Sequence, residues 1–318
     1  MSALGDKERL AIKRIRIFYS SNIKQMVDQG GYYVSYSGGK DSEVLIALCK
    51  LAGVKFEIHH NLTTVDAPET VYHVRSVVPP ENIHQPQKSM WQLIVDKGFP
   101  PTRVGRYCCE YLKEHGGDGR IKMLGLRAAE SSGRAKRTGL VNVRNLGKRE
   151  RDLIYEENPS VCYINSAGTI TMHTDNEAAR DVIRVCNRHG GDVSINPIYE
   201  WTDSEVWQFL RYYGVNVNPL YSEGCKRIGC IGCPLAGGKQ MKREFARWPK
   251  YRENYVKAFD RMVAANADRG RAKSWFTCGE DVMRWWCGDD PRQLTLEDID
   301  IYWLNFGYDE EWTRHDYE

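Results

Sequence analysis

The run Tyr32-Tyr-Val-Ser35-Tyr-Ser37-Gly38-Gly39-Lys40-Asp41-Ser42-Glu-Val-Leu-Ile-Ala-Leu-Cys-Lys-Leu51 decides the fold. Tyr32 to Ser37 is β-prone, a glycine pair interrupts it, and Ser42 to Leu51 reads as a helix ended by Gly53. Glycines at such a turn let the backbone take positive φ and approach a ligand closely. Successive amides there form an anion nest. The helix behind them points its unsatisfied N–H groups and positive dipole end at the same spot. Ser37 and Ser42 add hydroxyls, and Lys40 adds charge. The loop is not a Walker A sequence, because Asp41 follows Lys40. It also lacks the third glycine of the dinucleotide fingerprint.

Outward from the loop, strand-like and helix-like stretches alternate. Lys7 to Gln29 reads as an amphipathic helix through Ile12, Ile15, Phe18, Ile23 and Met26. Phe56 to Asn61, Glu81 to Gln85 and Ile121 to Arg127 are strand candidates. Pro68 to Val78, Met90 to Lys97 and Tyr107 to His115 read as helices. This alternation predicts an α/β fold: a parallel twisted sheet with helices on both faces. Ligands in such folds sit beyond the carboxyl ends of strands. The glycine loop, the Asn61 to Asp66 stretch and the Arg127 stretch all follow predicted strands there.

Thr138 to Ile195 has no clear period. Thr202 to Tyr213 reads as a helix with Thr202 as its N-cap. Lys239 to Ala265 is helical, with a break at Pro249. The expected organisation is a nucleotide-binding domain over residues 1–240, ending in a cysteine loop, and a smaller, mostly helical region over 241–318.

The composition is that of a globular protein: 318 residues, 42% hydrophobic, 27% charged, net charge +3. That charge is too small to imply nucleic-acid binding. The total hides an asymmetry. Arg134 to Arg151 holds seven Lys or Arg and one acid, whereas Gly288 to Glu318 holds ten acids and two Arg. No apolar run has the length of a membrane span, and Met1 to Arg16 lacks a signal-like core, so a cytoplasmic location and no membrane partner are expected. Ten cysteines in such a chain point to metal or redox chemistry.

The Ser-Gly-Gly-x-Asp-Ser signature resembles the phosphoadenosine phosphosulfate (PAPS) reductase family of PP-loop, adenine nucleotide alpha-hydrolase-like proteins. Further segments resemble the family in its order. They are Asn61-Leu-Thr63-Thr with Pro68-Glu-Thr70, Arg106-Tyr-Cys-Cys-Glu-Tyr-Leu-Lys113, Gly125-Leu-Arg127-Ala-Ala-Glu130-Ser with Arg134, and Asn196-Pro-Ile with Trp201 and Glu205-Val-Trp207. The resemblance covers about residues 30 to 250. It implies a nucleotide site built from Ser35, Ser37, Gly38, Gly39, Lys40, Asp41, Ser42, Asn61, Thr63, Gly125, Arg127, Glu130 and Arg134. Lys40, Asp41, Lys113 and Arg127 are the expected catalytic set. Arg127 and Arg134 suit oxyanions, because guanidinium groups match them in bidentate fashion. Glu130 is expected to orient Arg127 or to help hold Mg²⁺.

Cys225-x4-Cys230-x2-Cys233-Pro234 has the spacing of a cluster-binding loop. The Cys108-Cys109 pair is the obvious source of a further ligand. The resemblance implies a [4Fe–4S] cluster, with zinc as the competing metal. Cys108 is favoured beside Cys225, Cys230 and Cys233, and Cys109 is its rival.

The family's reductases carry a catalytic cysteine in a C-terminal tail, and here no cysteine follows Cys287. Cys278 and Cys287 lie in Trp-rich sequence and are expected to be packed and inert. The nearer look-alikes are reductase-like proteins of phages and mobile elements and cluster-bearing enzymes that thiolate nucleic acid. Three functions follow. The first is pyrophosphate-releasing or adenylating chemistry on ATP, linked to sulfur transfer from a sulfur donor or to a nucleic-acid acceptor. The others are reduction of a sulfonucleotide, and nucleotide binding without chemistry. Trp275, Trp285, Trp286, Trp303 and Trp312 are expected to pack helices rather than stack bases.

Overall fold

The computed structural model describes residues 3–20, 28–270 and 276–289. Ile23, Met26, Trp275, Trp303, Trp312 and the acidic stretch from residue 290 lie outside them, as does the side chain of Arg134. Among the described residues, those within Met1–Met90 and Gly105–Ile231 form one compact unit, and those within Trp91–Val104 and Gly232–Glu318 form a second.

The first unit opens with α1 (Asp6–Ser20), then β1 (Tyr32–Ser35), α2 (Lys40–Ala52), β2 (Phe56–Asn61), α3 (Pro68–Val77) and β3 (Ile83–His84). Val44, Leu45, Leu48 and Cys49 of α2 are fully buried, as are Tyr32 and Val34 of β1. Helical spacing on one element and alternation on the other thus bury one continuous core. Gly53 ends α2 in the left-handed region at φ 68°, its N–H bonding to the carbonyls of Cys49 and Lys50.

The unit continues through α5 (Tyr107–Leu112), β4 (Lys122–Met123), α6 (Ser132–Arg137), β5 (Val141–Arg144), α7 (Lys148–Glu157), β6 (Tyr163–Ile164), β7 (Ile170–Met172), α8 (Glu177–Arg188), β8 (Asp192–Ile195) and α9 (Asp203–Tyr212). Between β3 and α5 the chain forms α4 (Met90–Lys97). The sheet order is β3-β2-β1-β4-β8-β5-β7-β6. The first five strands are parallel; β5 runs antiparallel to β8 and β7, and β6 antiparallel to β7. The sheet is therefore mostly parallel, as expected of this α/β fold, with an antiparallel extension from the stretch whose period was unreadable. Ile121 to Arg127 is strand only at Lys122–Met123, because the chain then turns toward α2.

Strands β2 and β3 build out on one side of β1, and β4 lies on the other. The order reverses at β1, and such a switch point opens a crevice at the carboxyl ends of the strands. The glycine loop follows β1 there, and the Gly125–Arg127 stretch follows β4.

The second unit contains α10 (Gly238–Arg247), α11 (Pro249–Asp268) and α12 (Gly279–Trp286). Pro249 takes the first turn of α11, where its missing N–H has no partner to lose. Tyr255, Phe259 and Trp286 pack together with ring centroids 4.9–5.9 Å apart. The Trp286 indole donates to the Pro101 carbonyl at 2.6 Å. Trp286 is packed in the core of these helices, as anticipated. Cys278 departs from expectation: it is exposed at the N-cap of α12. Cys287 is buried, and burial pushes its thiol up to about 11. Among the described residues, no helix is long and apolar enough to cross a membrane.

Candidate functional site

In the glycine loop, only Gly38 has positive φ, at 72°. A Cβ there would lie 3.1 Å from Thr70 Cγ2 and 3.3 Å from Val74 Cγ2, both on α3. Gly39 is the N-cap of α2 at φ −100°, which any residue adopts. Ser42 Oγ donates to the Gly39 carbonyl at 2.8 Å and accepts from the Ser37 N–H at 3.3 Å. The loop is thus closed on itself by the hydroxyl of Ser42. The Ser37 residue remains exposed, and Ser35 sits half-buried at the end of β1.

Lys40, 6% exposed, and Arg127, 2% exposed, are the buried cations beside the loop. Lys40 Nζ lies 3.2 Å from Asp41 Oδ2 and 3.1 Å from Asp203 Oδ1. Arg127 donates from Nε to Asp41 Oδ1 at 2.6 Å, from Nη2 to Asp203 Oδ1 at 2.8 Å, and from Nη1 to the Trp201 carbonyl at 3.2 Å. Burial pulls the Asp203 carboxyl upward, but Lys40 and Arg127 outweigh it and hold it below the usual aspartate range. Gly125 admits this packing, since a Cβ on it would stand 3.1 Å from Asp41 Cβ. Glu130 accepts from the Arg127 backbone N–H at 3.1 Å and so fixes the turn that presents Arg127.

A cleft next to the loop is lined by Ser35, Ser37, His60, Asn61, Asp66 and Lys113, with Tyr33, Tyr36 and His59 among its walls. Asn61 donates from Nδ2 to the carbonyls of Lys113 and His115 at 3.1 and 2.8 Å, which pins the end of α5 to β2. The Thr63 N–H donates to Asp66 Oδ2 at 2.7 Å, inside a turn where Thr64 takes φ 63°. His60 pairs through Nδ1 with the Tyr36 carbonyl at 2.8 Å, which makes Nδ1 the protonated nitrogen. Its buried Nε2 has no partner among the described residues. Burial holds the His60 imidazole below its ordinary range, so it is neutral near pH 7 and presents a lone pair.

Thiols gather around Lys113. Cys230 comes in through an isolated antiparallel bridge with Asp66, and the Ile231 N–H bonds to the Val65 carbonyl at 2.8 Å. Cys230 Sγ lies 3.5 Å from Thr63 Oγ1. The charge of Cys230, and then those of Asp66 and Cys109, hold the Lys113 ammonium above its usual value against the effect of burial. Lys113 keeps exposed surface all the same. A hydrogen bond from Cys108, with Lys113 and Arg106 nearby, lowers the Cys109 thiol to about 6 against burial.

Residues 31–236 match the phosphoadenosine phosphosulfate reductase domain. The chain belongs to that family. Among its relatives, an uncharacterized 37.8 kDa protein of Escherichia phage 186 is 38% identical over 88 residues, 28% of this chain and 26% of the phage protein. An uncharacterized protein of Methanocaldococcus jannaschii is 24% identical over 273 residues, 80% of this chain and 46% of the relative. An adenosine 5'-phosphosulfate reductase of Allochromatium vinosum is 45% identical over 42 residues, 13% of this chain and 16% of the reductase. The chain spans less than half the length of each of these curated relatives.

This PAPS reductase-domain chain brings the expected residues together in two groups. Gly38, Gly39, Lys40, Asp41, Ser42, Gly125, Arg127 and Glu130 form the loop and its clamp. Ser35, Ser37, Asn61, Thr63, Lys113, Cys108, Cys109 and Cys230 surround the cleft and its thiols. Cys225 is half-buried, its N–H bonded to the Leu220 carbonyl at 3.0 Å. Cys233 starts a short helical turn of the second unit. The donor chemistry of these cysteines suits an iron–sulfur cluster; among the described residues no three His, Cys, Asp or Glu side chains converge as a metal site. No step below is routed through a cluster.

Asp203 and His60 were not legible as site residues. Asp203 opens α9 and looks like ordinary first-turn charge. The adjacent His59 and His60 on a strand were the one available signal for the cleft.

Proposed function

We propose that this chain binds ATP or a related adenine nucleotide, with its phosphates on Ser37–Ser42, and performs pyrophosphate-releasing, adenylating chemistry linked to sulfur transfer. One observation carries this: Gly38 in the left-handed region directly before the α2 N-terminus, at the switch point of the sheet. Amides fixed there suit the oxygens of a leaving pyrophosphate, whose charge grows as its bond to the α-phosphorus breaks. The acceptor's nucleophilic atom forms the new bond to that phosphorus, and pyrophosphate departs with the electron pair. Lys113 supplies positive charge in the cleft. The His60 Nε2 lone pair is placed to take the acceptor's proton. Lys40, Asp41 and Arg127 hold the loop in shape. Mg²⁺ enters as the counter-ion of the phosphates.

The iron–sulfur cluster that the resemblance implies belongs to the same reading, with Cys225, Cys230 and Cys108 or Cys109 as its candidate ligands in the first unit. Anaerobically purified protein should then contain about four irons per chain, lost in Cys230→Ser. Stoichiometric zinc without iron would replace the cluster by a structural site.

A sulfonucleotide reductase is the second reading, favoured by the exposed thiol of Cys278. Product analysis separates the two. The protein is incubated anaerobically with ATP, adenylylsulfate and PAPS in turn. Pyrophosphate release from ATP supports the first reading, and thiol-dependent sulfite release establishes the second. Binding with neither product leaves a nucleotide-binding interaction module.

A further inference from the structure

The Lys40 N–H, at the first turn of α2, donates to the phenol oxygen of Tyr221 at 2.9 Å. Tyr221 closes the one-turn helix Pro219–Tyr221, far along the chain from the loop. Its placement is braced by neighbours. Fully buried Asn218 accepts from the Leu220 N–H at 3.1 Å and donates to Thr70 Oγ1 at 3.0 Å. Trp207 meets the Tyr221 ring edge-on, with centroids 5.0 Å apart. The same wall supports the loop: a Cβ on Gly38 would lie 3.1 Å from Thr70 Cγ2 and 3.8 Å from Asn218 Nδ2. A Cβ on Gly39 would lie 3.4 Å from the phenol oxygen. The hydroxyl therefore stands at the helix N-terminus, where an anion's oxygens are bound.

A phenol that accepts from an amide keeps its own proton to give. Among the described residues, no acceptor takes the proton of Tyr221. The nearest carboxylates are engaged elsewhere: Asp41 and Asp203 with Lys40 and Arg127, and Glu43 with Tyr36 and His73. Burial first, and then those carboxylates, push the phenol up to about 12 against the pull of the Lys40 amide. The group stays protonated at ordinary pH.

Resting on the nucleotide reading above, we propose that Tyr221 is a positioning residue for the bound polyphosphate: its hydroxyl, held by the Lys40 amide, donates to a phosphate oxygen seated on the loop. The ligand class is a phosphate or pyrophosphate group, free or attached to a nucleoside. Tyr221→Phe keeps the ring against Trp207 and removes the hydroxyl, both the donor to phosphate and the acceptor for the Lys40 N–H.

The full chain and its Tyr221→Phe variant are titrated calorimetrically with ATP, inorganic pyrophosphate and adenosine. A hydrogen bond to a charged group predicts about tenfold or greater weakening for ATP and pyrophosphate, with adenosine affinity unchanged. A merely structural role would weaken adenosine as well, and that result overturns the inference. Equal pyrophosphate binding by the variant also overturns it, and tighter binding would make the phenol a plug that phosphate displaces. If the unmodified chain binds neither ATP nor pyrophosphate, the nucleotide reading itself has failed. If it binds both and only the Tyr221 effect is missing, that reading stands without Tyr221.

Discussion

Gly38→Ala is the sharpest perturbation of the loop, and its magnitude follows from the geometry. At φ 72° a non-glycine residue costs about 1–2 kcal/mol in backbone sterics. Its Cβ would also stand 3.1 Å from Thr70 Cγ2 and 3.3 Å from Val74 Cγ2. Both neighbours are buried, at 3% and 0% exposure, and cannot swing away. Crowding of this kind adds roughly 1 kcal/mol or more. The sum is about 2–3 kcal/mol, or roughly 4–12 °C in melting temperature for a unit of this size. Gly39→Ala is the control. Its φ of −100° suits alanine, and its Cβ would meet only the ends of two side chains, Ser37 Oγ at 3.3 Å and the Tyr221 hydroxyl at 3.4 Å. That variant should melt within about 2 °C of the parent, because the entropy gained by replacing glycine offsets small shifts. The assay is differential scanning fluorimetry of both variants, followed by pyrophosphate titration. Gly38→Ala melting with the parent, or Gly39→Ala proving the less stable of the two, would refute the assignment of left-handed strain to Gly38.

Arg127→Met removes a buried cation from between Asp41 and Asp203 and should cost about 2–4 kcal/mol, below the usual range for a fully buried pair because Asp203 faces solvent. An unchanged urea midpoint would count against the clamp. Asp203 is held below its ordinary range by Lys40 and Arg127, so its contribution to stability is present at neutral pH and lost as pH falls through the lowered value. The stability gap between the parent and Asp203→Asn should therefore narrow below about pH 4, and a gap equal at pH 7 and pH 3 would contradict this. A maleimide at pH 7.5 should modify exposed Cys278 readily in the native protein and leave Cys287 untouched, because that thiol is buried and pushed up to about 11. Peptide mapping that found Cys287 labelled first would overturn that ordering.

How much of this was legible depended on how locally each feature is determined. The strand, glycine pair and helix from Tyr32 to Gly53 are set by neighbours in sequence, and they read directly. So did the Thr202 cap, where Thr202 Oγ1 accepts from the Glu205 N–H at 3.3 Å and Glu205 answers to the Thr202 N–H at 2.8 Å. The break at Pro249 was equally local. The stretch from Thr138 to Ile195 did not read, because its strands are two to four residues long and show too little alternation. Of these strands, β5 pairs with β8, up to about fifty residues away, and β7 and then β6 pair outward from β5. Ile121 to Arg127 looked like one strand from composition, but Gly125 draws the chain against Asp41 after two paired residues. Cys278 was misread for a related reason. Its Trp neighbours suggested burial, but the N-cap position turns it outward.

The charged residues at the loop have a second role besides the phosphate contacts that their type suggests. Lys40 and Arg127 look like ligands for an anion, yet each already faces Asp41 and Asp203 within 3.2 Å. Two cations and two carboxylates cancel, so an approaching polyphosphate meets little net charge from the set. What the set does is mechanical. Asp41 belongs to α2 and Arg127 to the stretch after β4, and their ion pair ties the helix N-terminus to the neighbouring strand end. Gly125 permits the close approach, and Glu130 fixes the turn that presents Arg127. On the proposed reading, anion recognition beside the loop then falls to groups already oriented and carrying no full charge, the backbone amides, the Ser37 hydroxyl and the phenol of Tyr221, with Lys113 adding charge from the cleft. Such donors need little reorganisation when charge develops on a leaving group. On the proposed reading, the conspicuous cations build the frame of the site, and the glycine that shapes the backbone determines where the phosphate sits.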